Sequence, residues 1–156
     1  MNNNADLLFT KEITPLIIPK EKVVVLEPDW SLERALLVLT RRGTTSVPVI
    51  HPDGKVEGII SKTNILDFLI NPNKTQELDF SKLKEYRVLD AMDRNHMGIM
   101  ANSIFSFAFE VLVNRSYIPI IDIRQQFVGI LTRKVMMEKV IEYFHEEYLQ
   151  TVVTER

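Results

Sequence analysis

The chain has 156 residues, no cysteine, and a net charge of −2 from 19 Lys and Arg against 21 Asp and Glu. Hydrophobic residues make up 46% and charged residues 26%, enough for a real core but without the basic field of a nucleic-acid binder. The lack of cysteine excludes disulfides, zinc–thiolate sites and cysteine nucleophiles, and it suits a reducing compartment.

The opening stretch, MNNNADLLFTKEITPLIIPK, has no basic n-region, and Thr10, Lys11 and Glu12 break its apolar run, so it is not read as a signal peptide. No later apolar run reaches bilayer length. The expectation is a soluble cytoplasmic protein that engages neither membrane nor nucleic acid. Residues 1–19 are taken as an N-terminal segment. A short lead-in strand is predicted at Val23–Val25, then a helix capped by Ser31, with apolar residues at 32, 35, 36 and 39 and a stop at Gly43. Val47 to Ile50, a Pro-Asp-Gly turn and Val56 to Ile60 read as strand–turn–strand, and Ser61 to Ile70 as a second helix. Polar residues 71–87, with Pro72, read as a crossing linker with a helical turn near Phe80–Lys84. Val88 to Met92 would open the next part, followed by a lead-in strand at Gly98–Met100. A helix capped by Asn102 or Ser103 carries Ile104, Phe107, Ala108, Val111 and Leu112 on its apolar face. Strands at Ile118–Ile121 and Phe127–Leu131 precede a last helix from Thr132 to about Tyr148.

The chain repeats itself. Ser46–Leu66 lies over Tyr117–Met137 without a gap at an offset of 71, as Pro48 to Pro119 and Gly58 to Gly129 show. The upstream helices match at 72, Leu32 to Ile104 and Ala35 to Phe107. The predicted fold class is therefore α+β, β-α-β-β-α twice, with repeats at residues 20–70 and 88–148, a linker at 71–87 and a tail at 149–156. Neither copy can cover its own sheet. The two should pack sheet to sheet with pseudo-twofold symmetry, leaving clefts where they meet.

Two copies of a [Ser/Thr]-x-[Val/Ile]-Pro-[Val/Ile] turn and a Gly-h-h-[Ser/Thr] motif at one offset resemble the CBS domain, here as a tandem pair (a Bateman module). The resemblance spans about Lys20 to Tyr148 and implies adenine-nucleotide binding with no chemistry. The family's last motif ends in an Asp that clamps ribose hydroxyls; here Asn64 and Val135 stand in its place. In a 3′,5′-cyclic dinucleotide the 3′ oxygen is esterified, so the clamp loses half its purpose. A carboxylate there would also repel the phosphates by about 1 kcal/mol even in water-like surroundings. Thr132-Arg133-Lys134 at a helix start favours anions instead. With ALLVLTRRGTTSVPV, GILTRKV and Lys22, this pattern is similar to the stand-alone cyclic di-AMP-binding DarB/CbpB group.

That resemblance implies a ligand set of Lys22, Val24, Thr44, Thr45, Ser46, Val47, Pro48, Thr132, Arg133 and Lys134. Val24 and Val47 would pack the adenine, turn backbone would read its edge, and Thr132 to Lys134 would take ribose and phosphate. A pseudo-equivalent set is Asn95 to Met97, Ser116–Pro119 and Ser61–Asn64, with Lys62 as its cation. AMP or ATP is the alternative ligand, and a ligand-free scaffold the rival reading. The resemblance further implies a partner enzyme, a (p)ppGpp synthetase/hydrolase or pyruvate carboxylase, and a homodimer through Ile65, Phe68, Leu69 and Met136 to Phe144. Plainer roles are open for several of these residues: Arg133 and Lys134 as solvated first-turn residues, Thr44 to Ser46 as turn formers. His51, His96 and His145 lack metal-ligand spacing, and no catalytic set appears, so neither metal site nor enzyme is expected.

Overall fold

The computed structural model describes residues 3–70, 77–95 and 98–154. The elements in chain order are α1 (Asn3–Thr10), β1 (Ile18–Pro19), α2 (Leu32–Arg42), β2 (Ser46–Ile50), β3 (Val56–Ser61), α3 (Lys62–Leu69), α4 (Lys82–Glu85), α5 (Val88–Ala91), β4 (Ile99–Met100), α6 (Phe105–Val111), β5 (Tyr117–Ile121), β6 (Phe127–Thr132) and α7 (Arg133–Thr154). The chain forms two compact units. One contains Val23–Met97 with Arg124–Phe127; the other contains Met1–Lys22, Gly98–Ile123 and Val128–Arg156.

In the first of these units, α2 starts where Ser31 Oγ accepts from Arg34 N at 3.2 Å and stops at Gly43, whose φ of 65° is the left-handed conformation a Cβ would penalise. Leu32, Ala35 and Leu39 are fully buried on its inner face. β2 and β3 pair antiparallel from Ser46↔Ser61 to Ile50↔Val56. The predicted lead-in strand at Val23–Val25 is absent; a single parallel bridge, Leu26↔Val49, takes its place one residue later. The helical turn in the linker is α4, and residues 71–76 lie outside the described residues. Val88 to Met92, the expected opening of the second repeat, packs in this unit, where Val88 and Met92 join the core of Leu26, Leu32 and Ile60.

The other unit carries a sheet in the order β1-β6-β5-β4. Its parallel pair Ile99↔Ile120 matches Leu26↔Val49, and its antiparallel pair Ile18↔Ile130 matches Ile59↔Asp93. The segments that complete the two sheets are therefore Ile18–Pro19 here and Asp93 there. They arrive in the same manner. Ile13 N donates to Ser103 O at 2.9 Å and Phe105 N to Lys11 O at 2.7 Å; Val88 N donates to Trp30 O at 2.8 Å and Leu32 N to Tyr86 O at 3.1 Å. Each unit is thus completed by the opening segment of the other repeat. The motif glycines have their reason here: a Cβ on Gly129 would lie 2.1 Å from Ile18 O, and one on Gly58 2.5 Å from Asp93 O.

Further expectations need correction. The first helices match at 73, not 72, because the buried residues are Phe105, Ala108 and Leu112, against Leu32, Ala35 and Leu39; Ile104 and Phe107 are exposed. Helix α6 begins at Ile104 without a side-chain cap, not at Asn102 or Ser103, since Ile104 is held by a bridge to Glu12. The last helix continues through the supposed tail to Thr154. Of the residues expected at a dimer contact, Ile65, Leu69 and Met136 are fully buried; among the described residues, the exposed large apolar side chains of α7 are Met137, Ile141, Phe144, Tyr148 and Leu149.

Candidate functional site

Of the predicted ligand residues, Val24 and Thr44–Pro48 lie in one unit and Lys22 and Thr132–Lys134 in the other. The turn that follows α2 is tied to the start of α3 by Lys62 N donating to Thr45 O at 3.1 Å. Thr45 is exposed and Ser46 half-buried. Thr44 Oγ1 is inaccessible and has no hydrogen-bond partner among the described residues. Leaving such a hydroxyl unpaired costs about 1–3 kcal/mol, and without accessible surface it meets a ligand only if the turn shifts. Val47, at 2% exposed, and Pro48 are buried. The Val47 side chain belongs to the core of its unit, and half-buried Val24 packs against that core.

In the other unit, Thr132 caps α7, its Oγ1 accepting from Val135 N at 3.1 Å. Arg133 N donates to Ser116 O at 2.8 Å, the counterpart of the Lys62–Thr45 bond at the offset of 71. Two of the first N–H groups of this helix are thus already bonded. The Lys134 side chain is 85% exposed and stands 4.0 Å from Glu138. Arg133 is engaged within the protein: Nε donates to Leu112 O at 2.9 Å and Nη2 to Val113 O at 3.5 Å. Sequence reasoning missed these acceptors, which lie 21 and 20 residues away. Lys22 ends a 3-10 turn after β1 and is exposed. Because Ile18 pairs with Ile130 and Pro19 with Gly129, the chain leaves β6 away from Thr132, so the register does not bring Lys22 beside Thr132.

At the two positions of the missing ribose carboxylate, Asn64 closes a capping box with Ser61, its Oδ1 accepting from Ser61 N at 2.9 Å, and Val135 has no polar side-chain atom. Of the pseudo-equivalent set, His96 and Met97 lie outside the described residues. Among the described residues no group of His, Cys, Asp or Glu could hold a metal ion, and no helix is long and apolar enough to cross a membrane.

Two repeats of one α+β plan, each with a Ser- or Thr-capped helix after a close-approach glycine, define the class of this chain: it belongs to the CBS-domain family. The sequence pattern of the CBS domain matches residues 12–71, starting at the segment that completes the other unit. The chain is similar to the cyclic di-AMP receptor B of Bacillus subtilis (strain 168), at 27% identity over 86% of this chain and 90% of that one. The CbpB protein of Listeria monocytogenes, solved in complex with c-di-AMP, is 30% identical over 85% of this chain and 97% of that one, with a TM-score of 0.77. The fold is shared more widely: CBSX2 solved in complex with AMP has a TM-score of 0.70 at 24% identity, over 85% of this chain and 97% of that one.

Proposed function

We propose that the chain is a cytoplasmic, non-enzymatic regulatory protein that binds cyclic di-AMP and controls a separate enzyme according to its occupancy. The observation that carries the reading is the 30% identity over 97% of a CbpB chain solved with c-di-AMP. The local chemistry supports it. Neither Asn64 nor Val135 supplies a carboxylate for a ribose diol, and Thr132, Arg133 and Lys134 supply a capped, cationic helix start. The ligand residues are Lys22, Val24, the Thr44–Pro48 turn, mainly through backbone, and Thr132 to Lys134. The partner enzyme is a (p)ppGpp synthetase/hydrolase or pyruvate carboxylase, engaged by the ligand-free form. The protein is a homodimer using the exposed α7 residues Met137, Ile141 and Phe144. The repeat expected at residues 20–70 includes its opening segment from residue 12, where the CBS pattern begins, and the other runs over 88–148.

Calorimetric titration with cyclic di-AMP, cyclic di-GMP, AMP and ATP tests the reading. Cyclic di-AMP should bind at least about tenfold tighter than AMP or ATP, a difference of 1.4 kcal/mol. Equal or tighter AMP binding overturns it in favour of an energy sensor, and no binding at all favours the scaffold. Immobilised protein should capture the partner enzyme from a lysate and release it on addition of cyclic di-AMP, since linkage makes each weaken the other equally.

A further inference from the structure

We infer that Arg133 is a latch shared between the end of α6 and the phosphate of the nucleotide. The inference rests on the cyclic di-AMP reading, because the phosphate is what draws the latch open.

The two repeats end their first helices differently. A helix leaves its last carbonyls without partners. In α2, Gly43 turns the chain left-handed and its N–H closes on Thr40 O at 3.3 Å. α6 has no such glycine. It stops at Val111, and Leu112 has a φ of −78° and a ψ of −3°. Counting from Leu39 to Thr45 and from the equivalent Leu112 to Ser116, the second connection is two residues shorter (6 against 4). At this blunt end Val113 N closes on Glu110 O at 3.2 Å and Arg115 N on Leu112 O at 3.4 Å, and Arg133 from the first turn of α7 adds a second donor to Leu112 O and a donor to Val113 O.

Both bonds come from Nε and Nη2, the guanidinium edge that also offers an anion two parallel donors. A phosphate oxygen is charged and a peptide carbonyl is not, and charge-assisted hydrogen bonds are roughly twice as strong. The Nη2 bond, at 3.5 Å, is already at the limit of a useful hydrogen bond. A phosphate that engages this edge therefore withdraws it from α6.

The consequence reaches a surface. Phe109, Leu112, Val113, Arg133, Met136 and Met137 line a hollow of about 210 Å³. Its floor is buried Leu112 and Met136, while Val113 and Met137 stand exposed at the rim. Arg133 and Val113 are the two ends of the latch and two walls of the hollow. Opening the latch frays the last turn of α6 and reshapes an apolar patch, so one side chain carries occupancy to a surface a partner can read. The first repeat has no such device, since α2 is closed by its own glycine and needs nothing from Lys62, the counterpart of Arg133.

Hydrogen exchange read by mass spectrometry on the full chain, with calorimetry on the same samples, tests this. In free Arg133→Ala protein, the amides of Leu112, Val113 and Arg115 should exchange about tenfold faster than in the parent, the factor that 1.4 kcal/mol represents. Saturating cyclic di-AMP should move the parent protein in the same direction at the same amides. R133K keeps the charge and one donor; it should fall between the two, and it serves as the comparison if Arg133→Ala does not fold. Unchanged exchange in both free variants overturns the latch. Calorimetric binding of cyclic di-AMP with exchange at residues 112–115 unchanged or slowed also overturns it and leaves the binding reading standing. Absence of calorimetric binding to the parent overturns both.

Discussion

Replacing Ile13 with alanine tests whether the first 19 residues are an appendage or part of a folded unit. Ile13 is fully buried, packed with Phe105, Ile118 and Leu131, and its N–H donates to Ser103 O. The substitution removes three carbons and leaves the backbone bond in place. At about 0.8 kcal/mol per buried carbon, the transfer loss is about 2.4 kcal/mol. The cavity left among residues held by β-sheet and helix adds to this, giving about 3–4 kcal/mol, within the range for such truncations. Against a total stability of about 5–15 kcal/mol for a domain, that is a large fraction. For a chain of this size the melting temperature should fall by about 6–16 °C, at about 2–4 °C per kcal/mol. Urea unfolding followed by circular dichroism and tryptophan fluorescence measures the change, with the slope of each transition as a check on two-state behaviour. A loss below about 1 kcal/mol, typical of an exposed site, would refute the reasoning and make residues 1–19 an appendage.

The Gly129→Ala variant places a methyl 2.1 Å from Ile18 O and 2.9 Å from Ile17 Cγ2. It should cost about 1–3 kcal/mol as overpacking against backbone, read by urea titration, and leave the start of α7 in place. Arg133→Ala should weaken cyclic di-AMP binding by about 2–3 kcal/mol in a calorimetric titration, the value of a lost charge-assisted hydrogen bond. It should also lower the melting temperature of the free protein, since the side chain serves two carbonyls there; an unchanged melting curve contradicts that second role. Asp53 Oδ1 accepts from Lys55 N at 3.0 Å, and that bond holds its carboxyl below the ordinary aspartate value. Its folded pKa is depressed, so its contribution to stability is present above the unfolded pKa and is lost as pH falls through the folded one. A carboxyl NMR titration of Asp53 with a midpoint at or above the ordinary aspartate value refutes this.

The sequence by itself determined whatever is local. Ser31 and Gly43 bound α2, Ser61 and Thr132 cap the helices after each β-hairpin, and the offset of 71 carries the Lys62–Thr45 bond onto Arg133–Ser116. A cap and its N–H lie three residues apart, and a hairpin register follows from its turn, so residue order alone expresses them. The same order, read for a recurrent motif, pointed to the CBS family. What only the tertiary structure decided involves partners far apart in the chain. Thr14 Oγ1 donates to Ala101 O across 87 residues, and Ile18 pairs with Ile130, so the opening segment completes the sheet of the other repeat. No periodicity reports an exchange between two segments that each look suited to their own repeat. The helix offset of 73 emerged the same way, because apolar residues outnumber the buried positions around 104–112 and only packing chose Phe105, Ala108 and Leu112. Arg133 shows the limit most clearly. Its charge and place at a helix start were legible, but its bonds to Leu112 O and Val113 O, 21 and 20 residues away, depend on how α6 and α7 pack.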